Sequence, residues 1–172
     1  MSKKITFMEK YKTFLPRLVA LLIDSFIMLP IGISDDWFRQ AEFPPVFFYF
    51  WIPLSSLVFP VYMIMMHGYY GQTLGKMWMN VKVLDVSEAP LKFSQAIRRE
   101  LPQLIFNIGT IYLGIAFFGQ NPESETMKMP YGVFASLVTI WGLADITTFF
   151  LNEKRRALHD LIAGSVVVKT NL

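Results

Sequence analysis

Four apolar stretches divide the chain, at residues 18–33, 46–66, 101–118 and 131–151. Each is close to the roughly 17–25 residues that an α-helix needs to cross a bilayer. Asp24 interrupts the first stretch and no small-residue cleavage site follows, so we expect this stretch to be a membrane helix, not a signal peptide. The pattern predicts an all-α membrane protein with four transmembrane helices.

The pattern changes between the second and third stretches. Residues 79–85 alternate valine with polar side chains, which indicates a short strand, and residues 164–169 have similar β-branched character. Residues 94–100 predict a short helix capped by Ser94, and Pro102 then starts or kinks the third membrane helix. We therefore expect a small appendage outside the membrane in which the two strands pair.

The basic residues are distributed unevenly about the four stretches. Fourteen of the sixteen Lys and Arg lie before the first stretch, between the second and third, or after the fourth, and only Arg39 and Lys128 lie elsewhere. By the positive-inside rule, both termini and the strand appendage are cytoplasmic. The two outer loops hold acidic residues instead: Asp35, Asp36, Glu42, Glu123 and Glu125.

This topology predicts three parts of the chain. Residues 1–13 mix lysine with large apolar side chains, as a cytoplasmic amphipathic arm at the membrane surface would. A solvated basic tail explains the same composition equally well. Residues 14–168 form the membrane domain, and residues 169–172 form a tail.

Composition agrees with a membrane protein and limits the chemistry. The chain is 53% hydrophobic and 17% charged, whereas soluble domains carry about 25% charge. It has no Cys and two His, so disulfides and His-only or Cys metal sites are not expected. Residues 71–76 are one residue too short for a phosphate loop, and Gly71 and Gly75 predict a tight turn instead. We expect no enzyme, no cofactor, no metal and no nucleic-acid partner.

Two carboxylates lie inside the apolar stretches. Asp24 and Asp145 would each cost roughly 2.5–3.5 kcal/mol at the middle of a membrane helix unless they were paired. Arg17 precedes Asp24 by seven residues, which places both on one helix face about 10 Å apart, facing the same neighbour. Such groups either form a functional site or hold helices together. Further polar residues are available for the same buried network: Gln103, Asn107, Thr139, Thr147 and Thr148.

Three segments carry a resemblance to a known family. RLVALLID at 17–24, GQTLGKMWMNVKVLD at 71–85 and RRALHDLIAGSVVV at 155–168 together resemble the RDD family of small membrane proteins, over most of the chain. The resemblance implies that Arg17 and Asp24 are two of the family's three named residues and that Asp160 is the third, with Asp145 as a rival. It also implies a role in transport, and some relatives are discussed as sodium or lithium/proton antiporters.

Two functions follow as hypotheses. The first is a small secondary transporter in a bacterial cell membrane that exchanges a monovalent cation for protons, with Asp24 as the titrating carboxylate and Asp145 as a second ligand. Four helices are few for a transport pathway, so this hypothesis expects a homo-oligomer in the lipid bilayer. The second is a non-transporting scaffold or assembly factor in which Arg17, Asp24 and Asp160 form a structural clamp. In either case we expect Asp160 to lie near Arg17.

Overall fold

A computed structural model describes residues 9–118 and 124–170 of the chain. The predicted arm is therefore described only from residue 9 onward, and residues 119–123, 171 and 172 lie outside the described part. From residue 14 onward, the described part contains these elements in chain order: α1 (Phe14–Gln40), α2 (Pro45–Tyr70), α3 (Leu74–Trp78), β1 (Val81–Asp85), α4 (Phe93–Ala116), α5 (Glu125–Leu151), α6 (Leu158–Ala163) and β2 (Ser165–Lys169).

Within the described residues, three helices are long and apolar enough to cross a membrane. They are α1, α2 and the Thr126–Leu151 part of α5. The predicted helical membrane architecture is confirmed to that extent. The third predicted span, α4, is 24 residues long but is not among them, because its first half carries Arg98, Arg99, Glu100 and Gln103.

Helix α4 lies along the whole length of α2. Phe93, at the start of α4, covers Gly68 near the end of α2. At the opposite end of the pair, a Cβ on Gly114 would lie 3.3 Å from Ile52, and the rings of Phe48 and Phe118 have centroids 4.9 Å apart. The two helices are therefore antiparallel and extend over the same distance.

The start of α4 differs from the prediction. Residues 94–100 are not a separate short helix, because α4 continues without a break through Pro102. The loss of one backbone donor at Pro102 does not end the helix while its neighbours keep their bonds. Ser94 is not the cap either. Instead, the backbone N–H of Lys92 donates to Oε1 of Gln95 at 3.0 Å.

The two predicted strands pair, as expected. β1 and β2 are antiparallel, in a register from Val81 opposite Lys169 to Asp85 opposite Ser165. One set of valines packs with Leu91 and Ala96, and the other set packs with Tyr11, which is buried. Only the short helix α3 separates α2 from β1, and only the short helix α6 separates α5 from β2, so the sheet holds the ends of α2 and α5 near each other. We call this the sheet end of the molecule.

Candidate functional site

Asp24 anchors the short helix α3 to α1. Its side chain is 1% exposed and accepts three hydrogen bonds: from Oη of Tyr62 at 2.8 Å, Oγ1 of Thr73 at 2.5 Å and the backbone N–H of Gly75 at 2.9 Å. Both oxygens of the carboxylate therefore accept hydrogen bonds, from two other helices and the turn between them. In this structure Asp24 is a saturated anchor that joins α1, α2 and α3.

Gly75 makes the close approach of α3 to α1 possible. A Cβ at this position would overlap the backbone carbonyl of Ala20. The prediction that Gly75 forms a tight turn is wrong, because it lies within α3. Gly71 does make the turn, in the left-handed conformation with φ of 71°, and its N–H caps α2 by donating to the carbonyl of His67.

Asp160 is the centre of a second set of contacts. It is fully buried, with Oδ2 at 2.6 Å from Nη1 of Arg17 and Oδ1 at 2.8 Å from Nη1 of Arg99. Ser165 Oγ and the Ala157 N–H also donate to it, at 3.1 and 3.2 Å. Burial alone would raise the pKa of Asp160, but the Arg99 and Arg17 guanidinium groups hold it well below its usual value.

Arg17 joins the start of α1 to the segment after α5. Besides Asp160, it donates to Oγ1 of Thr13 at 3.0 Å and to the carbonyl of Arg155 at 3.1 Å. The predicted proximity of Arg17 and Asp160 is confirmed. The prediction that Arg17 and Asp24 face one neighbour is wrong, because the separation of about 10 Å along the helix places Arg17 against α6 and Asp24 against α3.

A third group was not predicted from the sequence. Lys76 Nζ lies 2.7 Å from Nε2 of His67, and Nδ1 of His67 lies 3.3 Å from Oε1 of Glu100, all in the protein interior. An ammonium group only donates, so a charged Lys76 requires a neutral His67 that carries its proton on Nδ1. Burial, followed by the nearby Arg99, lowers the pKa of Lys76 to about 7.

Arg99 connects this third group to Asp160 and Asp145. Its Nη2 lies 2.8 Å from Nε2 of His159, and its Nε lies 3.7 Å from Oε1 of Glu100. His159 in turn contacts Oδ1 of Asp145 through Nδ1 at 2.8 Å and through its backbone N–H at 3.0 Å. Asp145 and Asp160, the two candidates for the family's third named residue, are therefore linked to each other, with His159 between them.

These contacts define one ionic cluster at the sheet end, and Asp24 is counted with it because its charge acts on Lys76 through space. With both imidazoles neutral, the three carboxylates in direct contact balance the three cations, and Asp24 adds one further negative charge. Bonding in the cluster is uneven: among the described residues, Nδ1 of His67 and both Nε and Nη1 of Arg99 are buried without an aligned hydrogen bond, whereas Asp24 is saturated. The members of the ionic cluster are Arg17, Asp24, His67, Lys76, Arg99, Glu100, Asp145, His159 and Asp160.

The other polar residues predicted for a buried network are not part of the ionic cluster. The hydroxyls of Thr139, Thr147 and Thr148 donate to carbonyls of their own helix. Gln103 and Asn107 contact each other at 3.5 Å on an exposed face of α4. A threonine hydroxyl in a membrane helix can donate to a carbonyl one turn earlier in its own helix. Its position in an apolar stretch therefore says little about whether it contacts another helix.

Comparison with known proteins identifies one family. The model of the RDD family matches residues 11–164, which includes every member of the ionic cluster. Comparison with curated proteins and comparison with solved structures give no match.

Proposed function

The chain belongs to the RDD family, and we propose that it is a small secondary transporter that exchanges a monovalent cation for protons. Its three apolar helices make it an integral membrane protein. Ionisable groups buried among membrane helices are expensive and are commonly part of ion or proton pathways. The observation that carries the proposal is the charge imbalance of the ionic cluster, which one proton or one monovalent cation would remove.

Lys76 supplies the link between the two ions. When Lys76 holds its proton, the ionic cluster lacks one positive charge; when Lys76 is neutral, it lacks two. Release of the proton therefore increases the affinity for a cation, and cation binding favours release of the proton, because linkage between two ligands is reciprocal. A pKa near 7 for Lys76 makes this exchange possible at neutral pH.

Asp24 has a different part in this proposal. The sequence-based hypothesis takes Asp24 as the titrating carboxylate, but in the structure both of its oxygens are engaged by the donors that join α1, α2 and α3. We instead assign proton exchange to Lys76 with His67 and Glu100. Asp24 then holds α3, and with it Lys76, against α1.

We further propose that α4 is the fourth membrane span. Two observations support this. The pairing of β1 with β2 brings the ends of α2 and α5 together at the sheet end, and α4 begins at the same end, since Ala96 packs on Val81 and Val83. If α5 spans the membrane and ends there, the chain has to cross between β1 and α5, and α4 is antiparallel to α2 along its full length.

The distribution of Lys and Arg then makes the sheet end cytoplasmic, with both termini on that side. We place the protein in a bacterial cell membrane. Only 6% of the most apolar part of α5 is buried within one chain. The exposed surface of α5 is therefore available to contact lipid or a second copy of the chain. We propose a homo-oligomer as the transporting unit.

Ion flux through reconstituted vesicles tests the proposed function. Purified protein is placed in vesicles containing a pH-sensitive dye, and gradients of Li⁺, Na⁺ or K⁺ are applied, with protein-free vesicles as the control. We expect at least one cation to drive proton movement. Asp24→Asn should keep this flux in proportion to its folded fraction, whereas loss of flux at an unchanged melting temperature would return the coupling role to Asp24.

A scaffold or assembly factor is the second candidate. The saturation of Asp24 and the burial of Asp160 between two arginines favour it, because both arrangements are also what a structural clamp requires. Copurification of a stoichiometric partner, with no flux for any of the three cations, would support this alternative over transport.

A further inference from the structure

A cleft opens between the start of α1 and the end of α5. Its volume is about 450 Å³, within the range of small-molecule sites. The rings of Phe14, Phe149 and Phe150 line its apolar part, with the Phe14 ring centroid 5.7 and 5.3 Å from those of the other two. Both helices are long and apolar enough to cross a membrane, so a cleft between their ends would open where lipid headgroups meet acyl chains.

Three basic side chains from different parts of the chain converge on the same cleft. They are Lys12 before α1, Arg155 after α5 and Lys169 at the end of β2. Among the described residues, none of the three forms an ion pair with a carboxylate. The neighbouring Lys154 and Arg156 do not line the cleft; they donate to the carbonyls of Val86 and Ser165 beside the sheet.

We infer that this cleft binds an anionic phospholipid, with the phosphate between Lys12, Arg155 and Lys169 and the acyl chains against the phenylalanine rings. An unpaired cationic rim next to an apolar wall matches both halves of such a lipid, and basic pockets between membrane helices bind anionic headgroups in this way. A zwitterionic lipid lacks the net charge, and free phosphate would leave the rings uncovered.

The backbone of Arg155 has an unusual conformation beside the cleft. This residue has φ of 50°, unusual for a side chain other than glycine. In this conformation its carbonyl accepts from Arg17, while its guanidinium donates to the carbonyl of Phe150 and lies 5.9 Å from the Phe150 ring at the cleft. A bound lipid would therefore stabilise the joint between α1 and α5 next to the ionic cluster.

Native mass spectrometry of the purified full chain tests the site. The variant Lys12→Gln/Lys169→Gln removes two cleft charges, and Lys92→Gln/Arg98→Gln, at two exposed positions outside the cleft, is the matched control. The probes are phosphatidylglycerol, phosphatidylethanolamine and inorganic phosphate. We expect wild type to prefer phosphatidylglycerol and the cleft variant to bind it about thirty-fold more weakly, from the usual contribution of two basic residues.

Three results would overturn the inference. The first is that the cleft variant and the control lose the same amount of phosphatidylglycerol binding. That result would mean a general effect of surface charge. The second is that wild type binds phosphatidylethanolamine as strongly as phosphatidylglycerol, which would mean that the site does not select an anionic lipid. The third is inorganic phosphate binding with the same dependence on Lys12 and Lys169, which would mean a phosphate site without lipid. The melting temperature of each variant, measured in parallel, identifies any loss due to unfolding.

Discussion

Replacing Asp160 by Asn tests the energetic importance of the ionic cluster. The substitution keeps the size of the side chain but leaves Arg17 and Arg99, with side chains 14% and 5% exposed, without their shared carboxylate. Removing one partner of a buried ion pair costs about 3–5 kcal/mol, because the remaining charge stays desolvated. A change of 1 kcal/mol shifts the melting temperature of a chain of this size by about 2–4 °C, so we expect a fall of about 6–20 °C.

A surface ion pair in the same chain provides the control. Lys10 and Glu88 also form a salt bridge, but their side chains are 33% and 34% exposed. Glu88→Gln should therefore cost about 0–1 kcal/mol. Both variants can be melted in the same detergent with tryptophan fluorescence as the signal. A fall for Asp160→Asn no larger than that for Glu88→Gln would refute the reasoning that burial makes Asp160 essential.

The double variant sharpens this test. If the cost of Asp160→Asn comes from unpaired arginines, then Arg17→Gln added to it should cost little more, because the second change removes one of the stranded charges. The two substitutions should be clearly less than additive, as expected for residues in direct contact. Full additivity would mean that Arg17 and Asp160 stabilise the protein independently of each other.

Three further outcomes follow from the structure. Because the pKa of Lys76 falls from 10.5 to about 7 on folding, the unfolded chain binds more protons between those values; thermal stability should rise over pH 7–10, and Lys76→Gln should flatten that rise. Gly75→Ala should cost about 1–3 kcal/mol by overpacking, while Gly142→Ala, with nothing within 4 Å of the new Cβ, should be nearly neutral in the same melting assay. Reporter fusions at Leu172 and Glu123 should report opposite sides of the membrane, and the same side for both would contradict four spans.

The sequence was sufficient for the features that depend on local pattern. Apolar length gave α1, α2 and α5, and the valines at 81, 83 and 166–168 predicted the strands and their pairing. The contact of Arg17 with Asp160 was also predicted. Its burial was not: Asp160 is fully buried, and nothing in the sequence of a segment at the end of an apolar stretch distinguishes a buried pair from an exposed one.

The third group of the site could not be found in this way. Lys76 and Arg99 were counted as cytoplasmic charges that set the orientation of the helices, and that count is the same whether a basic side chain is solvated or buried. His67 and Glu100 lie on different helices and come together only because α4 is packed along α2. The one sequence feature that pointed to this group was the position of Lys76 within the segment 71–85, which resembles the family.

Cation-driven proton flux in vesicles containing wild type, Lys76→Gln or the exposed control Lys92→Gln tests the central claim most directly. Each protein is first shown to be folded by its melting curve, and the flux is then measured with Li⁺, Na⁺ and K⁺ gradients between pH 6 and 8. We predict that wild type and Lys92→Gln couple at least one cation to proton movement, and that folded Lys76→Gln does not. Absence of flux in folded wild type for all three cations, or unchanged flux in Lys76→Gln, would contradict the account.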